Sequence, residues 1–380
     1  MHIGVISTSY PRGAGDPAGS FVHGLNGYLR RQGHRVTVVC AGEADSPLQA
    51  ELDGVSVHRV PSPLFFQGGA PDALATGLVQ SPLPTLWEAS RFSLQLGAVA
   101  ARQLVGCDAL LSHWLVPCGM TAALLQGRRP HVAVAHSSDI HLLRRLRGSV
   151  VARWLSRRAQ LVYSAEHLRL DGAPGQVVPM GIHVAEFAPS EPLRQQARQA
   201  LGLSRPTVLF LGRLVPVKGL AVLLAALDRL NQLQPVELLV AGDGPLRTEL
   251  MREVIRNGLP VRFVGEVSGP RKRELLWAAD ALVLPSLQLA DGRTEGSPVV
   301  VWEALAAGCP VVASRVGGVA AQLAGAGLLV PPGDAVQLAE ALHRVLTQPE
   351  LANQLRTQGL GRALSADWSQ VAPQLERFLL

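Results

Sequence analysis

The chain has 380 residues, more than one hydrophobic core usually supports, so its length predicts two domains. Hydrophobic residues make up 48% of the chain and charged residues 17%, which excludes a disordered protein. The formal net charge of +6 favours an anionic partner. Aromatic residues amount to only 4% and do not alternate with basic ones, which disfavours a nucleic-acid-binding protein.

The cysteine and hydropathy patterns disfavour further classes. The four cysteines are far apart and form no CxxC pair, which argues against a zinc site or a disulfide framework and fits a reducing cytosol. The first residues, MHIGVISTSYPRG, lack the basic and long apolar regions of a signal peptide, and no apolar run reaches the ~18 residues of a membrane span. We therefore expect a cytoplasmic protein, either soluble or peripheral at the inner face of the membrane.

Short apolar runs alternate with helical patterns through the first half of the chain, an order typical of βαβ units and a parallel sheet. The clearest predicted helices span 20–32, 86–105 and 116–125, and a Pro- and Gly-rich stretch at 61–84 predicts a long irregular loop. The predicted strands are HIGVIST, RVTVVCA, VSVHRV, DALLSH, HVAVAHS, QLVYSA and QVVPM.

Residues 13–18, GAGDPA, match the GxGxxA dinucleotide-binding fingerprint. In that fingerprint the first glycine follows the strand almost immediately, whereas here SYPR intervenes and Pro17 precedes the helix. The match is therefore weak. An NAD-dependent oxidoreductase that rests on it is the alternative enzyme class.

Arginines and apolar residues are interleaved in the segment HLLRRLRGSVVARWLSRRAQ, residues 141–160. A basic amphipathic helix with a tryptophan, here Trp154, is typical of a surface that lies on an anionic bilayer. A solvated helix face in front of the core explains the same pattern, so both interpretations stay open. The arginines are Arg144, Arg145, Arg147, Arg153, Arg157 and Arg158.

The alternating pattern breaks near GIHVAEFAPSEP, where we place the linker between a first domain at 1–187 and a second at 188–363. Two doubly wound halves bind their ligand in the crevice at the carboxyl ends of the strands. Residues 364–380 predict a final helix, expected to pack back toward the first domain. The second series of strands is TVLFLGR, VELLVAG, VRFVGEV, ALVLPS, PVVASRV and GLLVPP.

Two cations follow the first strand of the second domain, in LFLGRLVPVKG. Arg213 offers a planar fork for phosphate oxygens and Lys218 a mobile point charge, and both emerge from the carboxyl end of the strand. Together they suit a diphosphate and its stabilisation as it leaves. The alternative is a solvated Arg and Lys on a tight loop.

Glu295 and Glu303 flank the start of a helix in TEGSPVVVWEALAAG. Ser297 suits the N-cap and Pro298 the first helical position, so Glu295 is expected in the loop and Glu303 in the middle of a helix that is apolar on every side. A buried carboxylate needs a polar partner, and the helix N-terminus between the two suits a phosphate. Two carboxylates around an anion site suit a nucleotide sugar. The alternative is that Arg or backbone satisfies Glu303 and that Glu295 is ordinary surface.

The second half resembles the retaining glycosyltransferases of family 4, which have the GT-B fold: two Rossmann-like doubly wound α/β domains, with parallel sheets, that face a central cleft. The resemblance implies that Arg213 and Lys218 bind the donor diphosphate, Glu303 the ribose and Glu295 hydroxyls of the transferred sugar. The matching pieces are LGRLVPVKG, LLVAGDGP, VRFVGEVSGPRKRELLWAADALVLPS and EGSPVVVWEALAAGCPVVASRVGGV. It further implies donor contacts from backbone near the sugar and phosphate and from a loop beside the base, at Gly296, Ser297 and Val299 and at Gly265 and Val267.

The first half resembles the same family more loosely. STSYPRGAGDPAGSFVHGLNGYLRRQGHRVTVV is similar to its first strand, glycine loop and helix, with Gly19 where backbone approaches donor phosphate. The segment VAVAHSSDIHLL departs from the usual His-Gly-Ser-Asp by Ser137 at the glycine. The resemblance implies that His136 contacts the donor sugar near the anomeric carbon. His113 and Asp139 are the candidate acceptor-side residues.

The resemblance implies a retaining transferase that moves a sugar from a nucleotide sugar to a lipid-linked, saccharide or small-molecule acceptor, in cell-envelope, exopolysaccharide or glycoconjugate synthesis. Leaving phosphate would help to deprotonate the acceptor, so no side chain is assigned as general base; His136, Glu295, Arg213 and Lys218 form the expected catalytic set. No DxD pair occurs, so we expect neither a metal nor a cofactor. A non-catalytic nucleotide-sugar-binding subunit is a further alternative, which this intact set disfavours.

Overall fold

The computed structural model describes residues 1–13, 15–44, 46–62, 64, 65, 77, 80–145 and 148–380. The chain forms two compact units. The first comprises Met1–Gly181 and Trp368–Leu380, and the second comprises Ile182–Asp367. The units are described in turn.

The first unit is built on an eight-stranded sheet with the order β3-β4-β2-β1-β5-β6-β7-β8. Neighbouring strands are parallel except β3 and β4, which form an antiparallel pair. The strands are β1 His2–Ser7, β2 Arg35–Gly42, β3 Gln49–Leu52, β4 Val55–Pro61, β5 Ala109–His113, β6 His131–Ala135, β7 Gln160–Tyr163 and β8 Gln176–Val177.

Helices connect these strands in the way that parallel pairing requires. The helices of this unit are α1 Ser20–Arg31, α2 Pro82–Gln103, α3 Met120–Leu125, α4 Ser137–Arg145, α5 Ser149–Ser156 and, from the end of the chain, α15 Trp368–Glu376. Shorter helical turns lie at Leu115–Gly119 and Glu166–Leu168.

The second unit contains a six-stranded, wholly parallel sheet with the order β11-β10-β9-β12-β13-β14. Its strands are β9 Thr207–Leu211, β10 Glu237–Ala241, β11 Val261–Gly265, β12 Ala281–Leu284, β13 Val311–Ser314 and β14 Leu328–Val330. Its helices are α6 Val184–Phe187, α7 Glu191–Ala200, α8 Leu220–Leu233, α9 Arg247–Asn257, α10 Gly269–Ala278, α11 Val299–Ala306, α12 Val319–Leu323, α13 Ala335–Thr347 and α14 Pro349–Leu364, with a helical turn at Pro216–Lys218.

Burial on both faces explains why the central strands are continuous apolar runs. Adjacent residues of β9 point to opposite faces, so Leu209 packs in one hydrophobic cluster and Val208 in the other. Leu239 and Leu238 of β10 divide between the same two clusters. Helices therefore cover both faces of the second sheet.

Each sheet reverses its strand order at one place, and ligands of doubly wound folds bind there, at the carboxyl ends of the strands. In the first unit the reversal lies between β1 and β5, and in the second between β9 and β12. The loops after these four strands therefore carry the residues of interest.

All the strands predicted from the sequence are present, but β3 was not predicted. The helix predicted at 86–105 begins earlier, at Pro82, and much of the loop predicted at 61–84 lies outside the described residues. The division between units also differs from the predicted boundaries at 187 and 363. Ile182, Phe187 and Ala366 are buried in a core of the second unit, which explains the difference.

The final helix α15 belongs to the first unit because Trp368 fills a space left by two glycines. A Cβ atom at Gly24 or Gly181 would come within 2.5 Å of the Trp368 indole. Near the other end of the helix, Glu376 Oε1 lies 2.7 Å from His34 Nε2. The chain thus returns to the first unit after completing the second.

Candidate functional site

The loop after β9 is held by close backbone contacts that only glycine permits. Gly219 has a φ of 66°, and a Cβ atom there would lie 1.9 Å from the carbonyl oxygen of Pro285, which follows β12. Gly242, after β10, has a φ of 136°, and its Cβ would lie 1.9 Å from the carbonyl oxygen of Gly212. The loops after three neighbouring strands are therefore fixed against one another, and Lys218 is positioned by them.

Glu295 is a buried carboxylate, only 7% exposed, with two side-chain partners. Lys218 Nζ lies 2.6 Å from Glu295 Oε1, and the Ser286 hydroxyl donates to the same oxygen at 2.7 Å. The backbone of Glu295 is also held, because a Cβ atom at Gly317 would lie 1.9 Å from its carbonyl oxygen. The predicted loop position of Glu295 is thus a fixed position at the carboxyl edge between β9 and β12.

Glu303 lies in α11 and is only 6% exposed. Its predicted need for a polar partner is met by Lys272 of α10, whose Nζ lies 2.5 Å from Glu303 Oε1. The Lys272 ammonium also lies 5.7 Å from the centre of the Phe187 ring. The partner is thus a lysine, neither the arginine nor the backbone that the sequence left as the alternative.

One local prediction was wrong. Ser297 is not the N-cap of α11: the cap position is occupied by Pro298, and no side chain caps the helix. The ψ angle of Pro298 is 117°, which is extended, so the helix begins one residue later, at Val299. Gly296 is held instead by its carbonyl, which accepts the backbone N–H of Gly318 at 3.1 Å.

The remaining predicted donor-side residues differ in exposure. Arg213 is exposed, and its guanidinium forms no ion pair with the residues that the structure describes. Gly265 ends β11 with a φ of 81° and has open space where a side chain would lie. Val267 is half-buried against the core. Arg213 is therefore a cation that is available to a ligand, whereas Lys218 already neutralises a carboxylate.

The two lysine–glutamate pairs make the carboxyl edge of the second unit an ionic site. A buried carboxylate without a cation costs several kcal/mol, so each lysine compensates for the burial of its glutamate. A carboxylate that has one cationic partner still has lone pairs for hydroxyl groups. The edge can therefore accept hydrogen bonds from sugar hydroxyls while its cations, with Arg213, attract phosphate.

In the first unit, His113 and His136 lie side by side at the ends of the neighbouring strands β5 and β6. His113 Nδ1 is 3.2 Å from His136 Nε2, and the rings are stacked with their centres 5.4 Å apart. Burial lowers the pKa of His136 to about 3 and lowers the pKa of His113 well below its usual value, so both imidazoles are neutral at physiological pH.

Aromatic side chains surround this histidine pair. The Phe21 ring, from α1, lies 5.1 Å from the His136 ring, and the Trp114 ring lies 4.7 Å from it. Trp114 has a φ of 67°, a rare conformation for a large residue, and is held there by its backbone N–H, which donates to Val134 O at 2.9 Å. The Trp114 indole N–H donates to the Ser138 hydroxyl at 2.9 Å.

Asp139 lies at the start of α4 and is directed into the protein. Its carboxylate accepts the backbone N–H groups of Leu115, His136 and Ile140 at 2.7, 2.9 and 3.0 Å. Burial raises the pKa of Asp139 to about 7. The carboxylate thus ties the turn after β5 to the turn after β6, and in this way it fixes the backbone of both histidines.

Gly19 lies immediately before α1, as predicted, with a φ of 62°. A Cβ atom there would lie 2.3 Å from Ser9 O, so only glycine allows the helix to begin so close to the end of β1. The loop between them is braced by the buried Arg59 guanidinium, which donates to Pro11 O at 2.8 Å. The carboxyl ends of β1, β5 and β6 therefore place Gly19, His113 and His136 at one edge of the first sheet.

The basic segment at 141–160 forms two helices, α4 and α5, and not the single helix that the pattern indicated. Leu143 and Leu155 are buried in the core of the first unit, while Val150 is 67% exposed. Arg144, Arg145, Arg153, Arg157 and Arg158 are exposed, and Arg147 lies outside the described residues. Much of the apolar side of this segment therefore faces the core.

Lys272 and Ser286 are the neighbours of the glutamates that sequence reasoning missed. Both lie in VRFVGEVSGPRKRELLWAADALVLPS, a segment already identified by its resemblance, but nothing in the one-dimensional pattern tells which of its basic residues reaches Glu303. No group of three or more His, Cys, Asp or Glu side chains with metal-binding geometry occurs among the described residues. In the same part of the chain, every helix is too short or too polar to cross a bilayer.

Comparison with protein families agrees with this geometry. A model described as Glycosyltransferase Family 4 matches residues 18–209, and one described as Glycosyl transferases group 1 matches residues 205–348. The chain belongs to glycosyltransferase family 4. The predicted family is thus confirmed, and the alternative of an NAD-dependent oxidoreductase finds no support.

Two curated relatives are similar over different spans. The putative teichuronic acid biosynthesis glycosyltransferase TuaC of Bacillus subtilis is 33% identical over 65% of this chain and 64% of its own length. The chain thus spans just under two thirds of that relative. A phosphatidyl-myo-inositol mannosyltransferase of Propionibacterium freudenreichii is 29% identical over 99% of this chain and 93% of its own length.

Solved structures confirm the predicted GT-B fold. Sucrose-phosphate synthase from Thermosynechococcus elongatus superposes with a TM-score of 0.79 at 24% identity, covering 99% of this glycosyltransferase and 98% of that chain. HepE from Anabaena, solved in complex with UDP-glucose, gives a TM-score of 0.72 at 18% identity over 100% and 99% of the two chains.

Proposed function

We propose that this glycosyltransferase transfers a sugar from a nucleotide-sugar donor with retention of anomeric configuration. The observation that carries the proposal is the pair of buried glutamates, Glu295 and Glu303, each held by its own lysine at the carboxyl edge of the second sheet. A site for a neutral or purely anionic ligand would not need two charged hydrogen-bond acceptors beside its cations. A nucleotide sugar needs both, because hydroxyl groups lie on each side of its diphosphate.

We assign the residues that bind the donor from the exposure of each side chain and from its ion pairs. Arg213 is the exposed cation and Lys218 the paired one, so we assign the diphosphate to both, with Arg213 making the first contact. Glu303 would accept the ribose hydroxyls and Glu295 those of the transferred sugar. The backbone at Gly296, Ser297 and Val299 would approach the sugar and phosphate, and Gly265 and Val267 would border the base. HepE, a structural neighbour, binds UDP-glucose, which supports a donor of this class.

Catalysis in this proposal rests on charge and positioning. As the bond between the anomeric carbon and the phosphate oxygen breaks, negative charge grows on the diphosphate, and Arg213 and Lys218 stabilise it. The acceptor oxygen forms the new bond on the same face, and its proton passes to the departing phosphate oxygen, so no side chain serves as base. His136 would contact the transferred sugar, and the Gly19 backbone the donor phosphate.

The acceptor is proposed to be a cell-envelope glycoconjugate, lipid-linked or saccharide. The curated relatives support this class, because one is named for teichuronic acid biosynthesis and another for the mannosylation of phosphatidyl-myo-inositol. Exposed arginines on α4 and α5 add a positively charged surface, which suits an anionic bilayer. We therefore propose a cytoplasmic enzyme that associates peripherally with the inner face of the membrane.

Sedimentation with vesicles tests the membrane proposal. We expect more binding to vesicles that contain anionic phospholipid than to phosphatidylcholine vesicles, and less at high salt, because salt screens exposed charges. Replacing Arg145, Arg153 and Arg157 with glutamine should abolish the difference, whereas Arg256→Gln and Arg271→Gln, which remove exposed arginines of the second unit, should not. Equal sedimentation with both vesicle types would leave α4 and α5 as a solvated surface.

No metal is proposed in the transfer, because cationic side chains are available to hold the diphosphate. Activity should therefore survive EDTA. Abolition of transfer by chelation, with recovery on addition of Mg²⁺ or Mn²⁺, would refute this part of the mechanism.

A donor screen tests the proposed function as a whole. Nucleotide sugars, nucleoside diphosphates and NAD should be compared by thermal unfolding; a ligand at a hundredfold excess over its Kd stabilises the folded protein by about 2.7 kcal/mol. We expect stabilisation by at least one nucleotide sugar and its nucleoside diphosphate, and none by NAD. Hydrolysis of the stabilising donor would then separate an enzyme from a non-catalytic binding subunit.

A further inference from the structure

The contact between His113 and His136 determines which nitrogen of His136 carries a proton. His113 is completely buried, whereas His136 retains 8% of its surface exposed. The two rings meet through His113 Nδ1 and His136 Nε2, 3.2 Å apart. The ring nitrogen of His136 that remains for a ligand is therefore Nδ1.

The hydrogen bond admits two arrangements. A neutral imidazole has one N–H donor and one lone-pair acceptor, and both rings are neutral because burial lowers their pKa values. Either His113 Nδ1–H donates to the His136 Nε2 lone pair, or His136 Nε2–H donates to the His113 Nδ1 lone pair. Each ring has one nitrogen outside this contact, its outer nitrogen: Nε2 of His113 and Nδ1 of His136. In the first arrangement the outer nitrogen is a lone pair on His113 and an N–H group on His136, and in the second arrangement these are exchanged.

The outer nitrogen of His113 distinguishes them. His113 Nε2 is buried and has no hydrogen-bond partner among the residues that the structure describes. If His113 donates through Nδ1, this atom is a bare lone pair; if His113 accepts there, this atom is an unpaired N–H. Buried N–H donors without a partner are rarer in protein interiors than buried acceptors without one. The first arrangement, which leaves a lone pair and not an N–H group unpaired, is therefore favoured.

We propose that His113 is a positioning residue that donates its Nδ1–H to His136 Nε2 and thereby fixes His136 as the Nδ1–H tautomer. His136 then presents an N–H donor, and its only lone pair is occupied. Building on the proposed function, this donor would bind an oxygen of the transferred sugar, and His136 would take no proton from the acceptor. His113 would contact neither substrate, which replaces its predicted acceptor-side role.

Nitrogen NMR of the full-length protein, labelled with ¹⁵N-histidine, tests the tautomer without any substrate. The two histidines are assigned from spectra of His113→Asn and His136→Gln. We expect His136 Nε2 to resonate as an unprotonated nitrogen and Nδ1 as a protonated one. A protonated Nε2 on His136 would overturn the proposal. The spectra are recorded without substrate, so the tautomer of His136 is tested independently of the proposed function.

Two substitutions test the consequence for catalysis, with hydrolysis of UDP-glucose or GDP-mannose, whichever is turned over, as the assay. His113→Leu removes the donor and should lower kcat about tenfold to a hundredfold with little change in donor KM, as loss of an orienting partner typically does. His113→Asn keeps an N–H donor and should restore most of the rate and the His136 tautomer.

His131 provides a matched control, because it is another buried histidine of the first unit, at the opposite end of β6. Its Nε2 lies 2.9 Å from the Ser112 hydroxyl and its Nδ1 3.1 Å from Gln126 Oε1. His131→Leu should reduce thermal stability at least as much as His113→Leu, yet leave kcat and the His136 nitrogen signals unchanged. If both variants lower kcat in proportion to lost stability, His113 has only a structural role and the proposal is wrong.

Discussion

Both units are doubly wound, with one reversal of strand order, but they present opposite chemistry at their carboxyl edges. In the second unit, Lys218 and Lys272 are ion-paired with buried glutamates beside the exposed Arg213. In the first unit, the corresponding edge carries two neutral imidazoles inside a cluster of aromatic rings. The contrast comes from the side chains after the strands: the ionic edge offers the charges that the proposed nucleoside diphosphate requires, whereas the neutral edge offers uncharged hydrogen-bonding groups.

The largest effects are expected from removing the cations of the ionic edge. Arg213→Ala and Lys218→Ala should each lower turnover by about two to three orders of magnitude, as loss of a preorganised charge donor does. Only Lys218→Ala should also destabilise the fold, by roughly 1.5–3 kcal/mol, because Glu295 loses a charged partner. Steady-state kinetics and chemical unfolding of both variants provide the comparison. Near-normal turnover in two folded variants would show that the ionic edge does not bind the leaving group.

The ion pair between Lys272 and Glu303 provides a second test of the ionic edge. Lys272→Met should weaken binding of the nucleoside diphosphate about tenfold, because Glu303 loses the partner that orients it. It should also cost about 3 kcal/mol of stability, as expected when a buried ion pair is broken. Arg262→Met, which breaks the more exposed pair with Glu237 in the same unit, is the control and should leave affinity unchanged. Equal losses of affinity in the two variants would make Lys272 an ordinary structural residue.

Acid should act on the buried histidines of the first unit. Burial lowers the pKa of His131 to about 4 and that of His136 to about 3, so the unfolded chain binds more protons than the folded one between these values and about 6.5. Stability contributed by a neutral histidine is present above pH 6.5 and is lost as the pH falls. Each should cost about 1 kcal/mol between pH 7.5 and 5.5.

Asp139 opposes this trend, since its raised pKa of about 7 makes the folded state the stronger proton binder between about pH 4 and 7. The measurement is denaturant unfolding of the parent protein and of His131→Gln at both pH values. The variant should lose about 1 kcal/mol less than the parent on acidification. An identical loss would mean that the buried histidines do not carry the pH dependence.

The sequence predicts the strands and helices of this protein better than it predicts the contacts between side chains. Short continuous apolar runs predicted most strands of both sheets, because a strand that is buried on both faces must be apolar throughout. The short, half-exposed strand β3 has no such run and was not predicted. The Glu295 and Glu303 positions followed from local helix chemistry. Their partners Lys272 and Ser286 did not, since these contacts join segments that are distant in sequence.

The first-unit site was predictable only in part. Strand ends placed His113 and His136 at one edge, but their mutual contact depends on strand order, and the complete burial of His113 depends on the rings around it. The Arg-rich segment was misread as one helix, because its apolar residues satisfy a helical pattern on both sides of Gly148. Sequence periodicity cannot tell which apolar face enters the core.

Calorimetric titration of Glu295→Gln and Glu303→Gln tests the central claim most directly, because the two glutamates are assigned to different parts of one donor. Each should lose roughly 1.5–3 kcal/mol of the binding free energy that its own charge-assisted hydrogen bonds supply. Glu303→Gln should weaken binding of both the free nucleoside diphosphate and the intact nucleotide sugar. Glu295→Gln should spare the nucleoside diphosphate, weaken the nucleotide sugar and impair transfer, with Glu237→Gln as an ion-paired control that changes neither. A Glu295→Gln protein that loses nucleoside diphosphate affinity as severely as Glu303→Gln would contradict the account.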